Sequence, residues 1–240
     1  MAHMTAKTAT TATVREFDLA KTPVRELNRF LHQDAARAGI TRVRVLNPDG
    51  AHSVACGLNA GFEVEIDGNV GYYVAGMNKS ARITVNGNAG PGAGENMMSG
   101  LVRVRGYAST GAGASAHGGC LVIEGDASLR CGISLKGGDI VVGGSVGSFS
   151  AFMAQAGRIV ICGDAGDALG DSLYEAVIYV RGKVRSLGAD ARFEPLGAAD
   201  QAALTELLKT AGFLYEPREF RRVASARALY HWNADANQEY

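Results

Sequence analysis

Three groups of residues have types and spacings that could carry chemistry. The first is the stretch NAGPGAGENMMSG, residues 88–100, where Gly90, Gly92 and Gly94 form a G-x-G-x-G run behind the apolar–polar run ARITVNG. A glycine loop between a strand and a helix can cradle a phosphate on its backbone N–H groups. The dinucleotide fingerprint needs G-x-G-x-x-G, and position 95 is glutamate; a P-loop needs G-x-x-x-x-G-K-[ST], and that string is absent. Another strand-like run follows this loop, not a helix, so the loop does not read as a nucleotide site. The second group is CGDAGDALGDSLYE, with Asp164, Asp167, Asp171 and Glu175. Its spacing is neither that of an EF-hand nor that of a glycine–aspartate β-roll, and these carboxylates read as polar corner residues. The third group is Cys56, Cys120, Cys131 and Cys162, with His32, His52, His117 and His231 scattered among them. They fit no zinc spacing and no nucleophile–base–orienter set. The thiols read as free and reduced in a cytoplasmic protein.

The elements that would position these groups are set by a repeat. Glycine supplies 32 of 240 residues, about twice the usual share of roughly 7%, so something in this backbone repeatedly needs a residue without a Cβ. The runs VEIDG, ITVNG, VRVRG, LVIEG, IVVGG, IVICG and IYVRG end on Gly68, Gly87, Gly106, Gly125, Gly144, Gly163 and Gly182, each 19 residues from the last. Four before each glycine stand Val64, Ile83, Val102, Leu121, Ile140, Ile159 and Ile178. Two before it stand Ile66, Val85, Val104, Ile123, Val142, Ile161 and Val180. The residue between is mixed: Glu65, Thr84, Arg103, Val122, Val141, Val160, Tyr179. That is the alternation of a strand with one buried face. Two after the glycine the column is Ala or Val; seven after it, from Ala75 through Gly94 and Gly113 to Ala189, it is only Gly or Ala. Such a unit cannot bury its own apolar face but can do so against copies of itself. The sequence therefore predicts an all-β chain, a parallel β-helix (β-solenoid) of about seven 19-residue coils. Right-handed winding is expected, because parallel crossovers favour it. At about 4.8 Å per coil the rod is about 34 Å long.

The ends need caps. Residues 1–4, MAHM, read as an expression-vector remnant. Residues 5–40 are expected to form an N-terminal capping helix region, with Thr22 as N-cap, Pro23 at the first helical position and Gly39 at the stop. The β-helix is expected over 41–196, its first strand supplied by TRVRVLNPDG. Residues 197–240 are expected to hold a second helix, GAADQAALTELLKTAG, followed by a docking tail. The mix of aromatics and arginines in 216–240 leads us to expect ordering against a partner subunit.

Lys plus Arg equals Asp plus Glu at 24 each, which argues against a nucleic acid or an anionic membrane as the main partner. No apolar run approaches the roughly 18 residues of a membrane span, and no signal peptide is visible. The outward columns are too mixed to show the long charged groove of a polysaccharide-acting β-helix enzyme.

The strings GENMMSG, GASAHGGCLVIEGDASLRCGISLKGGDIVVGGSVG, SAFMAQAGRIVICGDAGDALGDSLYEAVIYVRGKV and SLGAD resemble the GXGXG domain of glutamate synthase large subunits. They are most similar to free-standing versions, above all the β-helix subunit of N-methylglutamate synthase. The resemblance covers roughly residues 13–240. It implies a right-handed β-helix that carries no catalytic, cofactor-binding or metal-binding residue of its own. It also implies two partners in a hetero-oligomer: a class II glutamine amidotransferase-like subunit and a synthase-like subunit carrying FMN and an iron–sulfur cluster. The sequence lacks the cysteine cluster that such a synthase part uses. The implied complex makes N-methylglutamate from glutamate and methylamine, releasing ammonia. Related β-helix subunits serve glutamate synthases and formylmethanofuran dehydrogenase or formyltransferase–hydrolase complexes, and those remain the alternatives.

Overall fold

The computed structural model describes residues 14–227. The stretches 1–13 and 228–240, with the MAHM remnant, His231 and the end of the expected docking tail, lie outside them. The strands are β1 (Val14–Asp18), β2 (Arg42–Leu46), β3 (Glu63–Asp67), β4 (Arg82–Val85), β5 (Leu101–Val104), β6 (Cys120–Ile123), β7 (Lys136–Val142), β8 (Ala156–Ile161), β9 (Val177–Val180), β10 (Ala191–Glu194) and β11 (Arg221–Ser225). The helices are α1 (Val24–Arg29) and α2 (Ala198–Ala211). All eleven strands form one sheet in the order β1-β2-β3-β4-β5-β6-β7-β8-β9-β11-β10. The chain is a β-solenoid of about seven turns.

The 19-residue register is physical. Val64 pairs with Ile83, then Val102, Leu121, Ile140, Ile159 and Ile178, all in parallel. A second ladder runs Val70, Ala89, Ala108, Ala127, Val146, Ala165, Val184. Both inward aliphatic columns are buried from end to end, each large side chain contributing about 1.5–3 kcal/mol of transfer free energy.

The repeat's glycines serve two different constraints. In the strand-ending column the coils simply lie too close for a side chain. A Cβ on Gly87 would stand 2.5 Å from both the carbonyl carbon and oxygen of Gly68, and one on Gly182 would stand 2.3 Å from Asp164 Oδ1. In the Gly/Ala column the constraint is conformational. Gly94, Gly113, Gly132 and Gly170 have φ between +66° and +69°, and Ala75 and Ala151 share that left-handed region at +56° and +60°. The residues two before and two after are left-handed as well, as in Gly92, Gly94, Asn96. This alternation sends successive N–H groups to opposite neighbours. Gly92 donates to Thr110 O of the next coil, Gly94 to Val74 O of the previous one, and Asn96 to Ala114 O of the next. The corner thus keeps its backbone hydrogen-bonded to both neighbouring coils.

Four expectations need correction. First, the described part of the N-terminal region holds β1, a full rung paired in parallel to β2; its VREFD sequence lacks the terminal glycine that marks the repeats. Second, Pro23 itself is the N-cap of α1, in extended conformation and without a side-chain cap, so Thr22 caps nothing. The helix continues as one π-helical stretch, Phe30–Asp34, and left-handed Gly39 lies beyond it. Third, the last coil is one residue short at the corner, where Leu169 pairs with Leu187; Ala189 therefore leaves the left-handed column and is exposed. Fourth, the segment from 216 is not all docking arm. β11 inserts antiparallel between β9 and β10, burying Phe220 and Val223. The second helix agrees with expectation: α2 ends on Gly212 at φ +79°.

The two glycine constraints predict different penalties. Gly87→Val, which would drive a side chain into backbone, should cost about 3 kcal/mol or more. Gly111→Ala, left-handed at φ +72° but with open space around it, should cost about 1 kcal/mol. Urea titration followed by circular dichroism reads both; equal losses would refute the distinction.

Candidate functional site

The residues singled out for chemistry do not converge. Asp164 Oδ1 accepts the Lys183 N–H at 2.7 Å, Asp167 pairs with Arg185, Asp171 Oδ2 accepts the Ala189 N–H, and Glu175 pairs with Arg227 at 2.9 Å. Each carboxylate binds the coil or strand packed beside it. Asn69 and Asn88 do the same from equivalent positions, accepting the N–H groups of Asn88 and Tyr107, and Asp126 and Ser145 those of Ser145 and Asp164. Among the described residues no group of three or more His, Cys, Asp and Glu side chains is placed to hold a metal ion.

Two histidines are spent on backbone. His32 Nε2 lies 2.9 Å from Cys56 O, and His52 Nδ1 accepts the Tyr72 N–H at 3.0 Å. His117 is exposed just past the corner turn. Burial pushes the thiols of Cys120, Cys131 and Cys162 up to about 12, with the Asp139 charge adding to the effect at Cys120. Protonated at neutral pH, they are poor nucleophiles. Cys56 is raised by burial too. Asn78, fully buried, is satisfied by Ala81 and Ser99, and no buried side-chain N or O among the described residues lacks a partner.

The distinctive features are surfaces. The outward strand column changes character along the rod, which explains why it looked mixed in sequence. From Val122 onward it is buried beneath α2: Val122, Val141, Val160 and Tyr179 pack against Leu204, Leu207, Leu208 and Ala211 in a second core. The i, i+3, i+4, i+7 spacing of those helix residues gives the required stripe. Arg103 marks the boundary. Its guanidinium donates to Ala211 O at 3.0 Å and Thr210 O at 3.1 Å, capping the C-terminus of α2, and pairs with Glu124 at 2.8 Å. Ahead of Arg103 the same face is open and charged. A groove of about 530 Å³ runs over it between Glu16, Arg42, Arg44, Glu65, Arg82 and Arg105. Arg42–Glu63 and Arg44–Asp67 neutralise one another across coils.

The other end of α2 is held by Asp200. It accepts the Gly197 N–H at 2.9 Å and the Tyr179 hydroxyl at 2.7 Å, and meets Arg222, which also pairs with Glu194. Burial alone would raise the Asp200 carboxyl; the Gly197 N–H, Tyr179 and Arg222 outweigh it and hold it below its ordinary value. Hydrogen bonding from Arg192, with Arg222 close by, lowers Glu194.

The third surface is the left-handed corner. Tyr72, Tyr73 and Met77 at one end, and Leu129, Phe149 and Met153 at the other, are large, apolar and exposed. Sequence columns could have grouped them, since they occupy three registers only; which columns of the corner face outward was not readable from the letters.

The fold and these surfaces define a class: a capped β-solenoid whose described polar side chains are engaged mainly in joining coil to coil, and whose distinctive groups are on its outside. No known family profile matches the chain. It is 52% identical over 224 residues to Protein GlxC of Rhizobium meliloti (strain 1021), an alignment covering 93% of this chain and 98% of that protein. The chain belongs to the family of GlxC. Among the described residues, no helix is long and apolar enough to cross a membrane.

The clamp at Asp200 and Glu194 carries a sign. Both carboxyls lie below their ordinary values of 3.8 and 4.5 in the folded chain, so their contribution is complete above that range and is lost as pH falls through it. The melting temperature should hold from pH 7 to about 5 and fall below about pH 4. Asp200→Asn should lower it at pH 7 and flatten the acid limb. An unchanged acid limb in that variant, by calorimetry, would reject the clamp.

Proposed function

We propose that the chain is a non-catalytic assembly subunit of a glutamate synthase-like complex of the N-methylglutamate synthase type, bridging an amidotransferase-like and an FMN synthase-like subunit. The observation that carries this reading is the corner. The G-x-G-x-G string that gives the resembled family its name is here a structural device: Gly90 lies too close to Gly71 for a side chain, and left-handed Gly92 and Gly94 let the coil bond to both neighbours. The string therefore describes a rod and not a ligand loop. The disposition of the candidate groups supports the same reading: carboxylates tied to the adjoining coil or strand, and thiols raised to about 12. FMN and an iron–sulfur cluster would reside in the synthase-like partner, and glutamate, methylamine and ammonia would be handled there and in the amidotransferase-like partner. The name GlxC supplies the family and no substrate.

The test is co-expression with the amidotransferase-like and synthase-like chains of the same genome. A stable ternary complex is expected, with methylamine-dependent N-methylglutamate formation that stops when this chain is left out. A lone, stable monomer that engages neither chain would reject the reading. A complex that uses ammonia in place of methylamine would reassign it to glutamate synthase.

A further inference from the structure

Among the described residues, most of the exposed large apolar side chains sit on one face of the rod. Tyr72 and Leu129 share one register of the 19-residue repeat, Tyr73 and Phe149 a second, and Met77 and Met153 a third. Exposure runs from 38% at Met153 to 58% at Met77. Taking about 200 Å² for a fully exposed large side chain, the six present roughly 600 Å². Together the two clusters match the upper end of the largest apolar patch on a typical soluble monomer, about 300–600 Å² and often functional, and supply most of the roughly 800 Å² that each partner gives to a standard interface. The two clusters are three to four coils apart, about 14–19 Å at about 4.8 Å per coil. Between them the floor is mostly small, with Pro91, Gly92, Gly111 and Ala114, and the Glu95 carboxylate lies over Gly92 beside Tyr73. Ile133 and Phe152 continue the apolar surface, and Phe149 and Phe152 meet edge to face with centroids 6.2 Å apart.

Backbone conformation sharpens the point. Tyr73, Met77, Phe149 and Met153 have φ between +53° and +61°, where a bulky side chain is strained by about 1 kcal/mol or more. Equivalent positions in other coils hold Gly92, Gly111, Asn96, Ser115 and Ser172, which suit that region better. Folding alone is better served by the small residues. The large ones stand at a conformational cost and face outward, so their contribution lies outside the isolated fold. A cation adds to the surface. Arg130, also left-handed at φ +58° and exposed, lies between Leu129 and the Phe149 coil with no ion pair among the described residues.

We infer that this corner face is the docking surface for a partner subunit of the assembly proposed above, on which it rests. The partner presents aliphatic or aromatic side chains to the two clusters and a carboxylate to Arg130. Aromatic and methionine side chains with a central arginine are the composition of interface centres.

The experiment uses the co-expressed complex. Leu129→Asp with Phe149→Asp places the one substitution that must be left-handed in a residue that tolerates it, so the rod should keep its circular dichroism spectrum and melting temperature. Binding of one partner should weaken at least tenfold by analytical ultracentrifugation, and Arg82→Glu on the strand face should change it less than twofold. Should the double variant fail to fold, Arg130→Glu reads the same surface and should weaken binding at least fivefold. A complex that forms with wild-type affinity in the variants would overturn the surface assignment and leave the assembly role standing. No complex with the unaltered chain would overturn both. If the isolated chain is a dimer that the double variant dissolves, the face belongs to a second copy. If the double variant red-shifts the emission of Trp232, the sole tryptophan, the face belongs to the chain's own C-terminal residues. Either result overturns the proposal.

Discussion

Everything in this chain depends on one constraint: each coil must hydrogen-bond to the coil above and the coil below at strand spacing, all the way round. A parallel rung satisfies it along the strands. The left-handed corner satisfies it where the chain turns, by sending alternate N–H groups up and down. Side-chain acceptors at Asn69, Asn88, Asp126, Ser145 and Asp164 satisfy it at the strand exits. Once the spacing is fixed, the glycines follow. The strand-ending column has no room for a Cβ, and the corner column needs a conformation that most side chains resist.

That dependence explains what could be read from sequence. A repeating constraint leaves a repeating signature, so the coil number, the register of Val64 through Ile178 and the inward columns were all legible. Features made once were not. β1 carries no repeat signature and is recognised only by the strand it pairs with. β11 returns from some forty residues downstream to pair with β9, a contact no local pattern announces. Ala189 fails its column because a single coil is shorter by one residue. For the chemistry-bearing groups the structure adds where their capacity goes: carboxylates into adjoining coils and strands, the His32 and His52 rings onto backbone, and the thiols of Cys131 and Cys162 into the apolar interior.

The surfaces lie between these cases. The alternation from Glu65 to Tyr179 looked irregular because two environments share one column. Arg103 divides them, with charged residues meeting solvent on one side and aliphatic ones meeting α2 on the other. Likewise the apolar corner residues were visible as letters, but four of them, Tyr73, Met77, Phe149 and Met153, hold positive φ values that sequence alone does not supply for such side chains. The faces of this rod are therefore specialised by which residues occupy a shared backbone and not by changes in the backbone itself.

The boundary at Arg103 has a consequence for how the rod comes apart. Beyond it, each rung is gripped twice, by the interior ladder and by α2; before it, each rung is gripped by the ladder alone and, at the start, by α1. In a quasi-linear array stability is close to a sum over neighbours, so the two halves are unequal springs in series. Opening should start at the first rungs and run toward the middle like a zip, halting where the helix begins to clasp the sheet. Amide protons of β2 to β4 would then exchange with deuterium through short excursions. Those of β7 to β9 would exchange only when the helix lets go, giving one end of the rod the compliance to adapt while the other keeps its shape.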